Sequence, residues 1–294
     1  MNPSTIAARL PVDLTDAQIN EFGRELDAMR GEVIESRGER DRAYILKVIK
    51  TQRRMALGGR IAIVASLLFL PAWGFAFASS AAFWLLIALG TLSLGLAKIL
   101  ENMEIGHNVL HAQWDWMKDP NIQSSTWEWD NVCPSDQWMS SHNVKHHTWT
   151  NVLGKDPDVG YGLLRISTAQ RWRPFYLAQS LYAVLLALLF EWGIAIQELE
   201  LGRVASGRMK LNDIRPQLQR TGRKIRAQVL KDYIAWPLLA VVLALPFVMS
   251  GIGPSLLSVF LWVLAANVIA NVLRNLWTYM IIFCGHFPAD VHVF

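Results

Sequence analysis

"IAIVASLLFLPAWGFAFASSAAFWLLIALGTLSLGLAKIL", residues 61–100, carries a single charged side chain, Lys98, close to its end. Apolar runs of about 18–20 residues or more read as membrane-crossing helices, because a helix satisfies its own backbone in hydrocarbon. This run is long enough for two spans, 61–79 with Pro71 as a kink and 81–100, joined by a short turn of small residues. The preceding residues 1–60 are polar and charged, and they contain no apolar stretch of the kind a cleavable signal peptide needs. Within them "LTDAQINEFGRELDAMRGEVIES" reads as a soluble helix capped by Thr15 or Asp16. The Arg- and Lys-rich segment 37–60 sets the N-terminus on the cytoplasmic side.

Two further apolar runs, 233–250 and 255–273, meet at a tight "GIGP" outer turn. Residues 175–197 are also apolar, but a crossing there conflicts with charge. The segment 101–174 before it returns to the cytoplasm after two spans. The segment after it carries Arg203, Arg208, Lys210, Arg215, Arg220, Arg223, Lys224, Arg226 and Lys231, so it too belongs inside. Glu191 interrupts the run at a depth where charge is costly. Residues 175–197 therefore read as an interfacial helix. The expected fold is an all-α integral membrane protein. It has four transmembrane helices, an interfacial helix and a helical cytoplasmic cap made of 101–232 and 274–294. Residues 1–60 form an N-terminal cytoplasmic helical segment and 61–294 the membrane domain. The net charge of +4 is mild and sits in loops, which fits membrane orientation and not nucleic-acid binding. Cys133 and Cys284 are far apart and read as free thiols.

Five of the seven histidines fall between positions 107 and 147. "GHNVLH" puts His107 and His111 four residues apart, on one face of a helix. "HNVKHH" repeats this with His142 and His146 and adds His147. Imidazole is a common ligand for iron, zinc and copper. A helix over 81–111 would be about 45 Å long, at about 1.5 Å per residue. It would carry its histidines roughly 10–15 Å beyond a hydrocarbon core of about 30 Å. A helix over 255–286 lifts His286, in "CGHFP", to a similar height. Structural zinc takes four ligands, often cysteine. Six histidines with no cysteine pair exceed that need and point to two metals. "EIGH" pairs Glu104 with His107, but the second ExxH that carboxylate-type di-iron bundles use is missing. A histidine-rich di-iron centre fits better. Asp156 and Asp158, in "GKDPDVGYG", either accept the second N–H of a ligating imidazole or simply form an Asp-Pro turn. Asn267, Asn271 and Asn275 form a polar stripe suited to helix packing.

"ENMEIGHNVLHAQWDW", "SSTWEWDN", "SSHNVKHHTWTNVLGKDPDVGYG" and "NLWTYMIIFCGHFP" resemble the membrane fatty acid desaturases, most closely the bacterial acyl-CoA (stearoyl-CoA-like) branch. The resemblance implies four spans, a cytoplasmic cap, two iron ions and a fatty acyl substrate. By its pattern His107 and His111 are the first histidine box, His142, His146 and His147 the second, and His286 the isolated histidine after the last span. A third box of the HxxHH or QxxHH kind is expected beyond that span. None occurs before Phe294, so the chain reads as C-terminally incomplete. No HPGG haem motif is present.

The implied reaction places a cis double bond in a saturated acyl chain. No side chain can deprotonate an unactivated CH2 group, so the metal centre carries the chemistry, with O2 and two external electrons, and no further catalytic residue is needed. The implied partners are a fatty acyl-CoA or acyl-carrier substrate, a small ferredoxin-like electron donor with its reductase, and membrane lipid. Asp156, Asp158 and Glu104 would support the ligands. Asp130 and Asn131 would contact the acyl thioester or head group. Trp127 and Trp149, among six tryptophans between positions 114 and 149, would line an acyl tunnel or else anchor the interface. The basic segment 203–231 would dock an acidic donor or CoA phosphates, or only orient the chain. The expected location is the bacterial cytoplasmic membrane, with the active site facing the cytoplasm. Other readings are a membrane di-iron hydroxylase of the alkane or sterol type and an inactive metal-binding fragment. A bis-histidine haem protein would need its histidines inside the spans, and all seven lie outside them.

Overall fold

The computed structural model describes residues 14–70, 77–251, 253–288 and 291–294. The chain divides into two units, Met1–Lys47 and Val48–Phe294. The first contains α1 (Asp16–Ser36). Thr15 caps it: its hydroxyl accepts from the Gln18 amide, and the Gln18 side chain accepts from the Thr15 amide in return. No residue of α1 is buried. α2 (Glu39–Ser66) begins in the first unit and runs into the second.

The second unit is built from long helices. α3 (Phe77–Ile99) continues through a π-helical turn, Leu100–Gly106, and a short α turn, His107–Leu110. α4 (Gln179–Leu188) and α5 (Phe190–Gln197) follow the loops of the cap. α6 (Leu211–Gln228), a second π turn (Val229–Ala235) and α7 (Trp236–Met249) make another continuous run. α8 (Leu256–His286) closes the bundle. Every described regular element is helical.

Among the described residues, three runs are long and apolar enough to cross a membrane: Ala81–Leu110, Leu211–Met249 and Leu256–His286. Each covers an expected span to within one residue and extends past it toward polar sequence. The span expected over 61–79 is represented by the end of α2 and a 3-10 turn, Leu67–Phe69. Its proposed kink at Pro71 lies outside the described residues. The expected interfacial helix is a bent pair, with Pro174–Leu188 and Phe190–Gln197 meeting at 102°. Counted as one broken span, the pair would make a fourth.

The apolar core joins α2, α3, α7 and α8 through Ile63, Phe83, Leu94, Ala240, Val263 and Ala270. On the outer face of α3, Leu85, Leu89, Leu92 and Leu96 stand exposed at helical spacing. Such a stripe suits hydrocarbon as solvent, as a membrane protein requires. α2 and α3 approach at Gly59 and Gly90. A Cβ on either glycine would lie 2.8 Å from the carbonyl oxygen of the other.

Polar pairs lock the same bundle from inside. Lys98, 3% exposed, donates to Asp232 at 2.7 Å and to Asp130 at 3.3 Å. Asp232 also accepts from Gln228 and Asn271. Arg274 pairs with Glu191, both nearly inaccessible, and donates to the Asp130 carbonyl at 3.1 Å. Glu191 thus finds a cation, which is how a charge in this position is tolerated. Asn275 reaches across to the Leu188 carbonyl at 2.8 Å, whereas Asn267 bonds back to its own helix at the Val263 carbonyl. The asparagine stripe is packing glue at two of its three positions.

Substituting Gly90→Val forces helix backbones apart, since the obstructing atoms are the Gly59 oxygen and the Ile63 nitrogen. The expected cost is about 1–3 kcal/mol, read as a lower unfolding midpoint in detergent. Gly58→Ala meets nothing within 4 Å, so it should be neutral or stabilise by up to about 1 kcal/mol through the helix preference of alanine.

Candidate metal centre

Two π turns set the histidines. In Leu100–Gly106 the helix widens, and the His107 amide bonds to the Asn102 carbonyl five residues back. Asn102 is buried there, donating to the Lys98 and Asp130 carbonyls and accepting from the Asn131 side chain. The helix then tightens so that His111 bonds to the His107 carbonyl at 3.0 Å. It ends at Ala112, whose φ is 59°. In the second segment, a short helix Ser135–Met139 opens into the π turn Ser140–His146, and the His147 amide bonds to the His142 carbonyl. A π turn adds one residue to each hydrogen-bonded loop, so residues five apart as well as four apart share a face. His142, His146 and His147 can then all point one way, which a regular α-helix would not allow. Asn143 ties the two segments together through the Leu110 carbonyl at 2.9 Å. π turns of this kind often mark functional sites.

All six singled-out histidines converge. Ring centroids of His107 and His111 are 4.6 Å apart, and His111 lies 5.1 Å from His142 and 4.9 Å from His147. His142 is 5.1 Å from His146, and His146 is 4.8 Å from His286, delivered by the end of α8. Among the described residues, two donor groups have ligand atoms within 4.8 Å of one another: His107, His111 and His142, and His142, His146 and Asp158. They share His142. Nitrogen-rich donors with one carboxylate at this spacing fit iron-type metals. His292 stands exposed near the end of the chain.

The electrostatics keep rings available as ligands. Burial first, then His146 and His111, pushes His142 down to about 2, and burial with His147 and His146 also lowers His111. A neutral imidazole retains the lone pair that metals bind. His146 is shifted upward: burial opposes the change, but the Asp156 hydrogen bond and the charge of Asp158 outweigh it. Asp156 sits 3.0 Å from His146 Nδ1 and accepts from the Asn151 and Asp158 amides at 2.8 and 2.9 Å. Asn151 adopts φ 62° to make this loop, a conformation asparagine tolerates. The "GKDPDVGYG" turn and the orientation of a ring are therefore one device. Asp158 lies 3.7 Å from both His142 and His146, too far for a hydrogen bond, and burial raises it to about 6.

Three of the histidines, His107, His142 and His286, line a cavity of about 350 Å³. Trp129, Trp138, Ile194 and Ile282 supply much of its apolar lining. Asn131 lines it. Asp130 does not: it is turned toward Lys98 and Lys231, which hold it below the usual carboxylate range despite its burial. Trp127 packs against the cap core, and Trp149 is exposed with Lys155 over its ring. Glu104 falls outside both donor groups and the cavity lining; its carbonyl accepts from Asn108.

Trp138, Ser141 and Glu198 are among the cavity residues that escaped the sequence reading. Trp138 stacks on His142, with centroids 4.2 Å apart and planes 20° apart. Its spacing of four from His142 was a usable signal. Ser141 and Glu198 share a 2.5 Å hydrogen bond, and burial raises Glu198 to about 8. Glu198 is 57 residues from Ser141, and no local pattern announces it. Both cysteines are free, Cys133 buried and Cys284 exposed.

The fatty acid desaturase family profile matches residues 82–292. Two Mycobacterium tuberculosis proteins, from strains CDC 1551 / Oshkosh and H37Rv, each named NADPH-dependent stearoyl-CoA 9-desaturase, are 44% identical over 281 residues. The match covers 96% of this chain and 60% of each relative. The sn-1 linoleoyl-lipid 6-desaturase of a Synechocystis species is 31% identical over 98 residues, 32% of this chain and 26% of the relative. The chain thus spans about 60% of the length of the mycobacterial relatives it matches. No solved structure gives a significant match. With histidine-bearing segments from three parts of the chain facing one cavity, and a family match over most of its length, this chain belongs to the fatty acid desaturase family.

Proposed function

We propose that residues 61–294 form the membrane desaturase domain of an O2-dependent acyl-CoA desaturase, with two iron ions held by His107, His111, His142, His146, His147 and His286. The observation that carries the reading is the gathering of six imidazoles into one cluster, three of which, His107, His142 and His286, line a largely apolar cavity. The overall reaction converts –CH2–CH2–, O2, two electrons and two protons into –CH=CH– and two waters. Iron bound there would supply the oxidising power that an unactivated C–H bond demands.

The chain's own residues have narrower tasks. Asp156 holds the His146 ring through Nδ1 and leaves the other nitrogen for a metal. Trp138 packs flat on His142 and limits its rotation. Trp129, Ile194 and Ile282 give an acyl chain apolar contact and keep water from the reacting carbons. Asn131 offers a polar contact to the substrate. The supporting partners are an acyl-CoA, in keeping with the stearoyl-CoA in the names of the mycobacterial relatives, and a small ferredoxin-like electron donor with its reductase. The cytoplasmic face of a bacterial membrane is the side that the basic segments favour.

Iron analysis and product identification test the proposal. The protein should bind close to two irons per chain and, given stearoyl-CoA, O2 and electrons, yield a mono-unsaturated product. An alcohol would make it a hydroxylase, and an iron-poor, inactive protein would leave only a fragment. His111→Ala and His146→Ala should each abolish turnover and lower bound iron; full iron with parental turnover in both would refute the ligand set. Asp156→Ala should keep the six histidines but weaken iron affinity about 10–100-fold, measured by competition with a chelator.

A further inference from the structure

The segment 128–131 is a partition between two surfaces. On one side Trp129 and Asn131 line the histidine cavity. On the other, Glu128 lines a groove of about 300 Å³ with Arg220, Arg223 and Lys224, and Asn131 lines a smaller one with Lys224 and Lys231. Lys224 Nζ reaches over the partition edge to the Trp129 carbonyl at 2.7 Å and Glu128 at 3.0 Å. The Trp129 ring then points inward. Its indole N–H donates to the Cys133 carbonyl, and its centroid lies 5.1 Å from that of Trp138, which stacks on His142 at 4.2 Å and lies 5.3 Å from His107. Gly106, next to His107, has Trp129 atoms within 3.5 Å of where its Cβ would be. Two buried indoles therefore connect the outer groove with both histidine-bearing segments.

α6 also carries charge that begins at this groove, where Arg223 lines it, and continues along the helix outside it. On α6, Arg220 and Lys224 are answered by Asp136 and Glu128. Arg215, Arg223 and Arg226 are exposed, no carboxylate pairs with them among the described residues, and their spacing keeps them on one side of the helix. Arg226 and Arg215 lie roughly 10 Å and 27 Å along the helix from Tyr233, where the expected span starts. Most of the stripe is beyond the roughly 8–10 Å over which lipid charge acts. It suits a soluble acidic partner better than a headgroup.

We propose that the Arg215–Arg223–Arg226 stripe docks a small acidic one-electron carrier protein, and that Trp129 and Trp138 form the path by which its electrons reach the histidine cluster. The inference rests on the di-iron reading above. In each encounter the carrier is oxidised by one electron and one ferric ion becomes ferrous; two encounters supply the two electrons the reaction needs. No bond forms or breaks. Electron tunnelling falls steeply with the gap to be crossed, and closely packed aromatic rings shorten that gap where the alternative is loop backbone.

The test is anaerobic stopped-flow reduction of the iron-loaded protein by a reduced [2Fe–2S] ferredoxin, with reduced methyl viologen as a reductant that needs no acidic docking face. Reversing the stripe (Arg215→Glu, Arg223→Glu and Arg226→Glu together) should slow the ferredoxin reaction at least tenfold and remove its salt dependence, with the viologen rate unchanged. Trp129→Leu, at parental iron content, should slow ferredoxin-driven reduction at least tenfold, and Trp129→Phe should restore most of it. Parental rates in the iron-replete charge-reversed protein overturn the docking surface. Parental rates in iron-replete Trp129→Leu overturn the path. A reversal that leaves reduction intact but raises KM for acyl-CoA assigns the stripe to the acyl carrier and overturns the proposal. A parent protein that binds no iron overturns the di-iron reading and this route with it.

Discussion

A lysine inside an apolar bundle survives only if its charge is answered, and Lys98 is answered twice, by Asp232 and Asp130. Removing one partner of such a pair typically costs about 3–5 kcal/mol, because the other charge stays buried and alone. The arrangement therefore constrains everything attached to it. Asp232 belongs to the π turn between α6 and α7, and Lys98 sits just before the π turn that leads to His107. Asp130 belongs to the partition that bears Trp129 and Asn131. Arg274 extends the grip to α8, the helix that brings His286, and to Glu191 at the bend between α4 and α5. Five separate parts of the chain are registered against one another by these buried charges.

That registration places the histidines, and the π turns aim them. In both segments the widened helix immediately precedes or contains the clustered imidazoles. A π turn has weaker backbone geometry than an α-helix and persists only where tertiary contacts hold it. Asn102 does this for the first turn through three side-chain hydrogen bonds. Asp156, Asn143 and the Glu198–Ser141 pair do it around the second. The result is a histidine cluster whose members His107, His142 and His286 border a largely apolar cavity.

Membrane class and the clustering of scarce histidines were readable directly. Both are local patterns: a run of apolar residues registers as hydropathy wherever it occurs, and four-residue spacing survives a modest change in helix winding. Asp156 was readable too, because its loop lies within ten residues of His146. The substrate-side assignments were less legible. Asp130 looked free to meet a thioester, and it is instead consumed by lysines 32 and 101 residues away. Trp149 shared the composition of its neighbours but not their burial.

By itself, then, the order of residues established an all-helical, membrane-type chain with a histidine-rich centre, since each of those properties is carried by neighbours along the chain. Tertiary structure alone decided the π winding, the bend of 102° at Leu189, the partition at 128–131 and the placing of Glu198 in the cavity. The physical reason is separation: Lys98 and Asp232 are 134 residues apart, and a pairing over that distance leaves no periodic trace in either segment. It exists because a buried charge has to find its counter-charge somewhere in the folded bundle.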